Sequence, residues 1–290
     1  MSKSGLSIVS AISSAEPAGR PLVSAATNTT VNGWGAGVRV TQVLENRTDA
    51  LPALVHTGWA DAFPWLIQGC TTRGSGREGP FDLGLFSDAS PAWRVLENWE
   101  RLRAATGQAR VVHAQQVHGS RVRFHESGPP GLHISERCDG HATAAAGIVL
   151  CVAAADCVPV YIVDAERRAV AVLHAGWRGA AGGVLEQGLR LLAERVGTTA
   201  DRVHLHLGPA ICGRCYEVGP EVFEALGQRV PVAPEPIDLR AVLARRAVDS
   251  GVPQAQITVS EHCTLCGASG LFSHRGGDHE RQVAYIGVRA

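Results

Sequence analysis

The chain has 290 residues, enough for one large domain or two small ones with a sizeable core. Lys+Arg and Asp+Glu both number 27, so the formal net charge is zero and nothing favours nucleic acid or an anionic membrane as partner. No apolar run approaches a membrane span, and eight cysteines are too sparse for a disulfide scaffold, which points to free or metal-bound thiols in a reducing cytoplasm.

Residues 1 to about 50 are rich in Ser, Thr, Ala, Asn and Gly, and Met1 to Asn28 lack a continuous apolar core of the signal-peptide kind; residues 1–60 are taken together. They read as a partly flexible N-terminal extension ahead of a domain at 61–290. Within the extension, residues 38–43 alternate and suggest an edge strand. Residues 65–73 read as a strand entering a Gly-rich turn, and 91–105 as a helix started by Pro91, with Trp93, Leu96, Trp99 and Leu102 on its apolar stripe. Residues 109–117 form a strand candidate that delivers His118 to its end, followed by loop material around Gly128-Pro129-Pro130-Gly131. Strands are then expected at 148–154, 160–163 and 169–173, with near-continuous apolar character that requires cover on both faces, as in layered α/β structures. Helices at 182–196, 221–226 and 239–250 and strands at 202–207 and 257–259 complete an α/β (α+β layered) pattern in a single compact domain, with no internal repeat.

Three short segments carry the chemistry: Gln116-Val117-His118-Gly119, Ala155-Asp156-Cys157-Val158-Pro159 and His174-Ala175-Gly176-Trp177-Arg178-Gly179. Two imidazoles and one thiolate from separate segments make a three-ligand site with an open fourth position, the pattern of a catalytic zinc. A lone buried Cys or His is more often core. Three of them at strand ends, beside Gly or Pro, shift the balance towards a shared metal.

A second set is Cys212-x-x-Cys215 with Cys263-x-x-Cys266. Two such pairs can close a zinc tetrahedron, but the intervening stretch far exceeds the usual roughly 15–20 residues. Unpaired thiols are the default expectation and a structural zinc the alternative. Arg73, Arg178 and Arg275 each lie in Gly-rich turns, where a guanidinium can grip phosphate. The one His-x-His pair, His204-Leu205-His206, falls short of what multicopper chemistry needs, and the only methionine is Met1.

The three ligand-bearing segments resemble the YfiH family, also described as laccase-domain or multicopper polyphenol oxidase proteins. Supporting segments are Gly208-Pro209-Ala210-Ile211-Cys212 leading to Tyr216-Glu217-Val218-Gly219, and Cys263-Thr264 ahead of Leu271-Phe272-Ser273-His274-Arg275. Thr71-Thr72-Arg73-Gly74 and Phe81-Asp82-Leu83-Gly84-Leu85 also fit, so the resemblance runs from Phe63 to Val288. It implies a fold of mixed β-sheets sandwiched between helices, with zinc (copper possible) on His118, Cys157 and His174. The implied activity is a purine nucleoside phosphorylase that also deaminates adenosine, with purine nucleosides and phosphate as partners.

On that reading Arg73, Arg178 and Arg275 hold phosphate, Asp82 and Asp139 are the acid/base candidates, and Asp156 orients a metal ligand. Chain departures from the family pattern fall at Asp82, at Gly276-Gly277 after Arg275, and at Glu280-Arg281. Two alternatives stand beside it. One is a Cys-His amide hydrolase acting on a peptidoglycan precursor, with Cys157 as nucleophile and His174 or His118 as base. The other is a copper-dependent polyphenol oxidase. Oligomeric state is left open.

Overall fold

Strict two-residue alternation of buried apolar side chains is what organises this molecule into layers. The computed structural model describes residues 28–31, 38–48, 51–75 and 79–290. In chain order these carry strands β1 (Asn28–Val31), β2 (Val38–Val43), β3 (Asn46–Thr48) and β4 (Ala53–Val55), helix α1 (Thr57–Ala62), β5 (Leu66–Thr71) and α2 (Ala92–Thr106). Then come β6 (Arg110–Ala114), β7 (Val122–His125), β8 (Gly131–Ser135), β9 (Gly140–Thr143), β10 (Ile148–Ala154), β11 (Val158–Asp164) and β12 (Ala169–Ala175). The last part holds α3 (Trp177–Ala181), α4 (Val184–Val196), β13 (Val203–Leu207), β14 (Glu217–Val218), α5 (Pro220–Ala225), β15 (Glu235–Pro236), α6 (Leu239–Asp249), β16 (Ile257–Ser260) and β17 (Gln282–Val288).

Among the described residues, one mixed sheet runs β1-β2-β16-β13-β11-β12-β9-β7 and a second runs β3-β4-β5-β17-β10-β6-β8. In β10, Ile148, Leu150 and Val152 face the other sheet, where Tyr161, Val163, Val170 and Val172 meet them. The alternate residues Val149 and Cys151 face outward onto Val95, Trp99 and Leu102 of α2. On the far side Val160, Ile162, Ala171 and Leu173 pack against Leu185 and Leu192 of α4 and Val242 and Leu243 of α6. The result is four layers, helix–sheet–sheet–helix, in which both faces of each central strand are covered. The continuous apolar runs therefore arise in largely antiparallel neighbours: β11 pairs antiparallel with both β12 and β13. Among the described residues, no helix is long and apolar enough to cross a membrane.

Several expectations need correction. Residues 38–43 are not an edge strand, because β2 pairs antiparallel with β1 and parallel with β16. Pairing reaches upstream of residue 61, with β2, β3, β4 and α1 built into the two sheets and their packing, while residues 1–27 lie outside the described part. Helix α2 keeps its Pro91 start and ends at Gly107 in the left-handed region (φ 66°). Its buried face is nevertheless Val95, Asn98, Trp99 and Leu102; Trp93 and Leu96 are exposed. The helix expected over 182–196 is α4, which begins at Val184 behind Gly183 (φ +79°); the short helix α3 ahead of it was not expected. Strand β8 occupies part of the expected loop, because its pairing with β6 outweighs the turn composition just before it.

The topology gathers one set of loops. β6 and β10 are parallel, β12 is antiparallel to β11, and β13 and β16 are parallel to each other and antiparallel to β11. The carboxyl ends of β6, β10, β12, β13 and β16 consequently all emerge at the same end of the sandwich. The His118, Cys157 and His174 segments and both Cys-x-x-Cys turns follow or end these strands.

Candidate active site

His118 follows β6 by four residues, in a turn where its own φ is +57°. An L-residue holds that conformation only when its surroundings fix it. The fixing group is the carboxylate of Asp139, which accepts the backbone N–H groups of Val117 (3.2 Å), His118 (2.8 Å) and Gly119 (2.7 Å). Cys157 sits in the turn where the chain crosses from β10 in one sheet to β11 in the other. His174 lies near the end of β12, its backbone N–H bonded to the Asp139 carbonyl at 2.7 Å. Its Nδ1 meets Asp139 Oδ1 at 3.0 Å.

One ligand atom from each of His118, Cys157 and His174 lies within 4.8 Å of the others. The His118 and His174 rings meet edge to face at 4.8 Å. His174 is buried and Cys157 half-buried, while His118 is exposed and opens the cluster to solvent. With Nδ1 committed to Asp139, His174 has Nε2 free for a metal, the arrangement in which a carboxylate fixes the tautomer of a ligating histidine. Gly176 makes this closeness possible, since a Cβ there would stand 2.9 Å from Cys157 Sγ and 3.1 Å from His118 Cδ2. Gly179 lets α3 settle on the His118 turn: a Cβ there would lie 2.9 Å from the Gly119 carbonyl oxygen. This is the spatial reason for the glycine spacing in His174-Ala175-Gly176-Trp177-Arg178-Gly179.

The electrostatics suit a metal cradle. Burial works against ionising Asp139, but the His174 hydrogen bond and the Gly119 and Val117 amides outweigh it and hold the carboxyl below its ordinary pKa. Burial likewise opposes a Cys157 thiolate, yet the charge of His174 and hydrogen bonds from His118 and His174 pull its pKa down to about 6. His174 moves oppositely: burial lowers it, while Cys157 and Asp139 raise it to about 9. Metal-stripped protein should therefore show Cys157 alkylation by iodoacetamide with a midpoint near pH 6, against about 8.5 for an ordinary thiol. Peptide mapping reads this out, added metal should protect the thiol, and a midpoint near 8.5 would deny the pairing.

Not all expected site residues converge. Arg275 is exposed, stacks 5.4 Å over Tyr216, and donates its backbone N–H to Asp156 Oδ2 at 2.8 Å. Arg178 is exposed on α3, stacked on Trp177. Both cations, together with Cys157 and Asp156, act electrostatically on Tyr216, whose pKa rises to about 12, first through burial and then through Cys157. Arg73 is engaged elsewhere, with Leu271 O and Asp278 Oδ2, each at 2.8 Å. Asp82 is fully buried, its Oδ1 accepting the backbone N–H groups of Gly84 and Arg281. No contact joins it to the cluster among the described residues, and its burial argues against the proton-transfer part expected of it. Asp139 accepts the Val117, His118 and Gly119 amides and meets His174 Nδ1, which suits an anchor.

Asp156, expected to orient a ligand, instead has its Oδ1 bonded to Thr264 Oγ1 at 2.5 Å. Sequence reasoning missed Tyr216, although it stood inside a quoted motif between the Cys-x-x-Cys pair and Glu217, whose carbonyl accepts the Arg275 guanidinium at 3.1 Å. His206 of the His-x-His pair is tied to Glu45 and Thr258 in a buried network, and His204 packs on Phe63, so neither is presented as a copper ligand. Cys212, Cys215, Cys263 and Cys266 do come together, at the same end of the sandwich.

The fold and sequence have known counterparts. The crystal structure of the Bacillus licheniformis hypothetical protein YfiH superposes with a TM-score of 0.75 at 26% identity, covering 84% of this chain and 98% of that one. The family model described as multi-copper polyphenol oxidoreductase laccase matches residues 67–289. The chain belongs to the YfiH family. Among the relatives, the purine nucleoside phosphorylase YlmD of Geobacillus stearothermophilus is 32% identical over 80% of this chain and 95% of its own length. A protein named adenosine deaminase RL5, from an unknown prokaryotic organism, is 37% identical over 57% of this chain and 69% of its own length.

Proposed function

We propose that this YfiH-family enzyme is a zinc-dependent purine nucleoside phosphorylase that also deaminates adenosine. The observation that carries the reading is the open triangle of His118, Cys157 and His174, with Arg178 and Arg275 acting on the same Tyr216 as Cys157 does. The names of the relatives support nucleoside processing as the coarser activity. The donor set fits zinc: two imidazoles, one thiolate and a free fourth position. When bound, zinc would supply a Lewis acid.

The remaining parts belong to the chain. Arg178 and Arg275 would draw phosphate in and orient it towards the ribose anomeric carbon. As the C–N bond breaks, Tyr216, which keeps its proton at neutral pH, would donate a hydrogen bond to the departing purine. Asp139 would keep His174 in its ligating tautomer, and the Asp156 carboxylate would hold the Arg275 loop against the Cys157 turn. Deamination would need the nucleoside seated with its amino-bearing purine carbon, not the anomeric carbon, towards the attacking water, which adds there as ammonia leaves.

One specific observation favours a second reading. Cys157, His174 and Asp139 also have the arrangement of nucleophile, base and orienting carboxylate found in thiol hydrolases, which suits amide hydrolysis. An incubation of metal-quantified protein with adenosine, followed by chromatography, separates the two. Adenine released only with phosphate, and inosine formed without it, are the expected results, with both lost on chelation and regained with zinc. Intact adenosine at one bound zinc per cluster would sink the nucleoside reading. Activity on an amide substrate that survives chelation would put the thiol hydrolase in its place.

A further inference from the structure

Cys212 and Cys215 lie in the turn after β13, and Cys263 and Cys266 in the turn after β16. β13 and β16 are parallel neighbours, so both turns leave the sheet side by side, and Ala210 and Cys263 form a bridge between them. All four Sγ atoms lie within 4.8 Å of one another, and those of Cys212 and Cys266 are 3.7 Å apart. Four thiolates about 2.3 Å from a central zinc stand about 3.8 Å from each other in a tetrahedron, so the spacing matches a closed structural site.

The backbone around these sulfurs is arranged to receive negative charge. Cys263 Sγ accepts the N–H of Cys212 at 3.2 Å and of Cys266 at 3.4 Å. The Cys215 N–H closes the first turn onto the Cys212 carbonyl at 2.9 Å. Gly267, directly after Cys266, has φ +101° with open space around it, so glycine serves there to reverse the chain and not to make room. Gly213 serves the opposite need, since a Cβ would stand 2.8 Å from that of Asp238.

We propose that Cys212, Cys215, Cys263 and Cys266 form a second metal site, a closed zinc tetrathiolate that clasps the two turns together. Binding replaces thiol protons with Zn²⁺ and releases them to solvent, with no change of oxidation state. The clasp bears on the open cluster through Asp156, the residue before Cys157. The Ile211 N–H donates to the Asp156 carbonyl at 3.1 Å from the first turn, and Thr264 Oγ1 donates to its carboxylate at 2.5 Å from the second. The four cysteines thus position the Cys157 turn without belonging to the open site.

The test is the zinc content of full-length protein purified without chelator. Wild type should carry two zinc ions per chain, and both H118A and C212S/C266S one each. In H118A an organomercurial should release that remaining zinc as four thiols are consumed, an experiment that does not depend on the cysteine variants folding. Cobalt-substituted H118A should show the strong sulfur-to-cobalt charge-transfer absorption of a tetrathiolate. An H118A protein with no zinc would overturn the proposal, as would a C212S/C266S protein with two. So would a non-reduced wild-type mass showing these cysteines paired as disulfides.

Discussion

Replacing Asp139 with alanine is expected to abolish nucleoside turnover and to weaken metal binding at the open cluster by 10- to 100-fold or more. The carboxylate is fully buried, and it accepts the N–H groups of Val117, His118 and Gly119 as well as the Nδ1–H of His174. Its removal leaves those donors without an acceptor and frees His174 to change tautomer. Breaking a buried charged pair on one side costs about 3–5 kcal/mol. At this chain length that corresponds to a fall of roughly 10 °C in Tm. Asparagine in its place keeps one acceptor oxygen but turns an NH2 group towards N–H donors, so D139N should fall between the two. Calorimetric zinc titration and thermal melts measure both effects. A D139A protein with wild-type zinc affinity would show that the carboxylate does not organise the site.

Substituting Gly176 with alanine should cost about 100-fold in turnover while leaving Tm nearly unchanged. Gly176 has φ −74° and ψ 172°, a conformation alanine adopts without strain, so the fold gives no objection. The cost is local, because the new methyl would press on Cys157 Sγ and on the His118 ring. Both are short side chains already committed to the cluster, and a shift of about 1 Å in a reacting geometry is worth roughly 10²-fold. Steady-state kinetics with zinc quantified per chain would read the effect. A fully active G176A with normal zinc content would mean that Cys157 and His118 do not act together.

The sequence made the open cluster legible for a physical reason: its ligands sit at strand ends beside glycines and a proline, which leave marks in the chain order. His174 and Cys157 could be read from apolar runs that stop abruptly. Asp139 could not be assigned its part, because it lies 21 residues after His118 and reaches it only through the paired end of β9 and β12. The two Cys-x-x-Cys turns looked too far apart for the same kind of reason. The stretch between them holds α5, α6 and β15 and returns to a neighbouring parallel strand, a connection that chain separation does not disclose.

The final strand, β17, escaped notice although it lies between β5 and β10 in the middle of its sheet. Gln282 and Gly287 interrupt its apolar pattern. The structure explains both: Gln282 exchanges hydrogen bonds with the Phe272 backbone, and a Cβ on Gly287 would collide with the Ile148 carbonyl. The stripe on α2 was misplaced because Trp93 and Leu96 are apolar yet exposed, while Asn98 is buried with its amide on the Asp82 carbonyl.

The three ligands of the open cluster do not belong to one sheet. His118 is carried by the loop after β6, His174 by β12 of the facing sheet, and Cys157 by the connection between the two. The sheets meet through interdigitated side chains such as Leu150 and Val172, helped by the Tyr161 hydroxyl on the Gly69 carbonyl. A slide of one sheet past the other would therefore pull the ligand triangle apart before it broke either sheet. Occupancy of the cluster would then act as a gauge of that alignment. Metal loss should register as faster amide hydrogen exchange along the whole length of the facing strands β10 and β12.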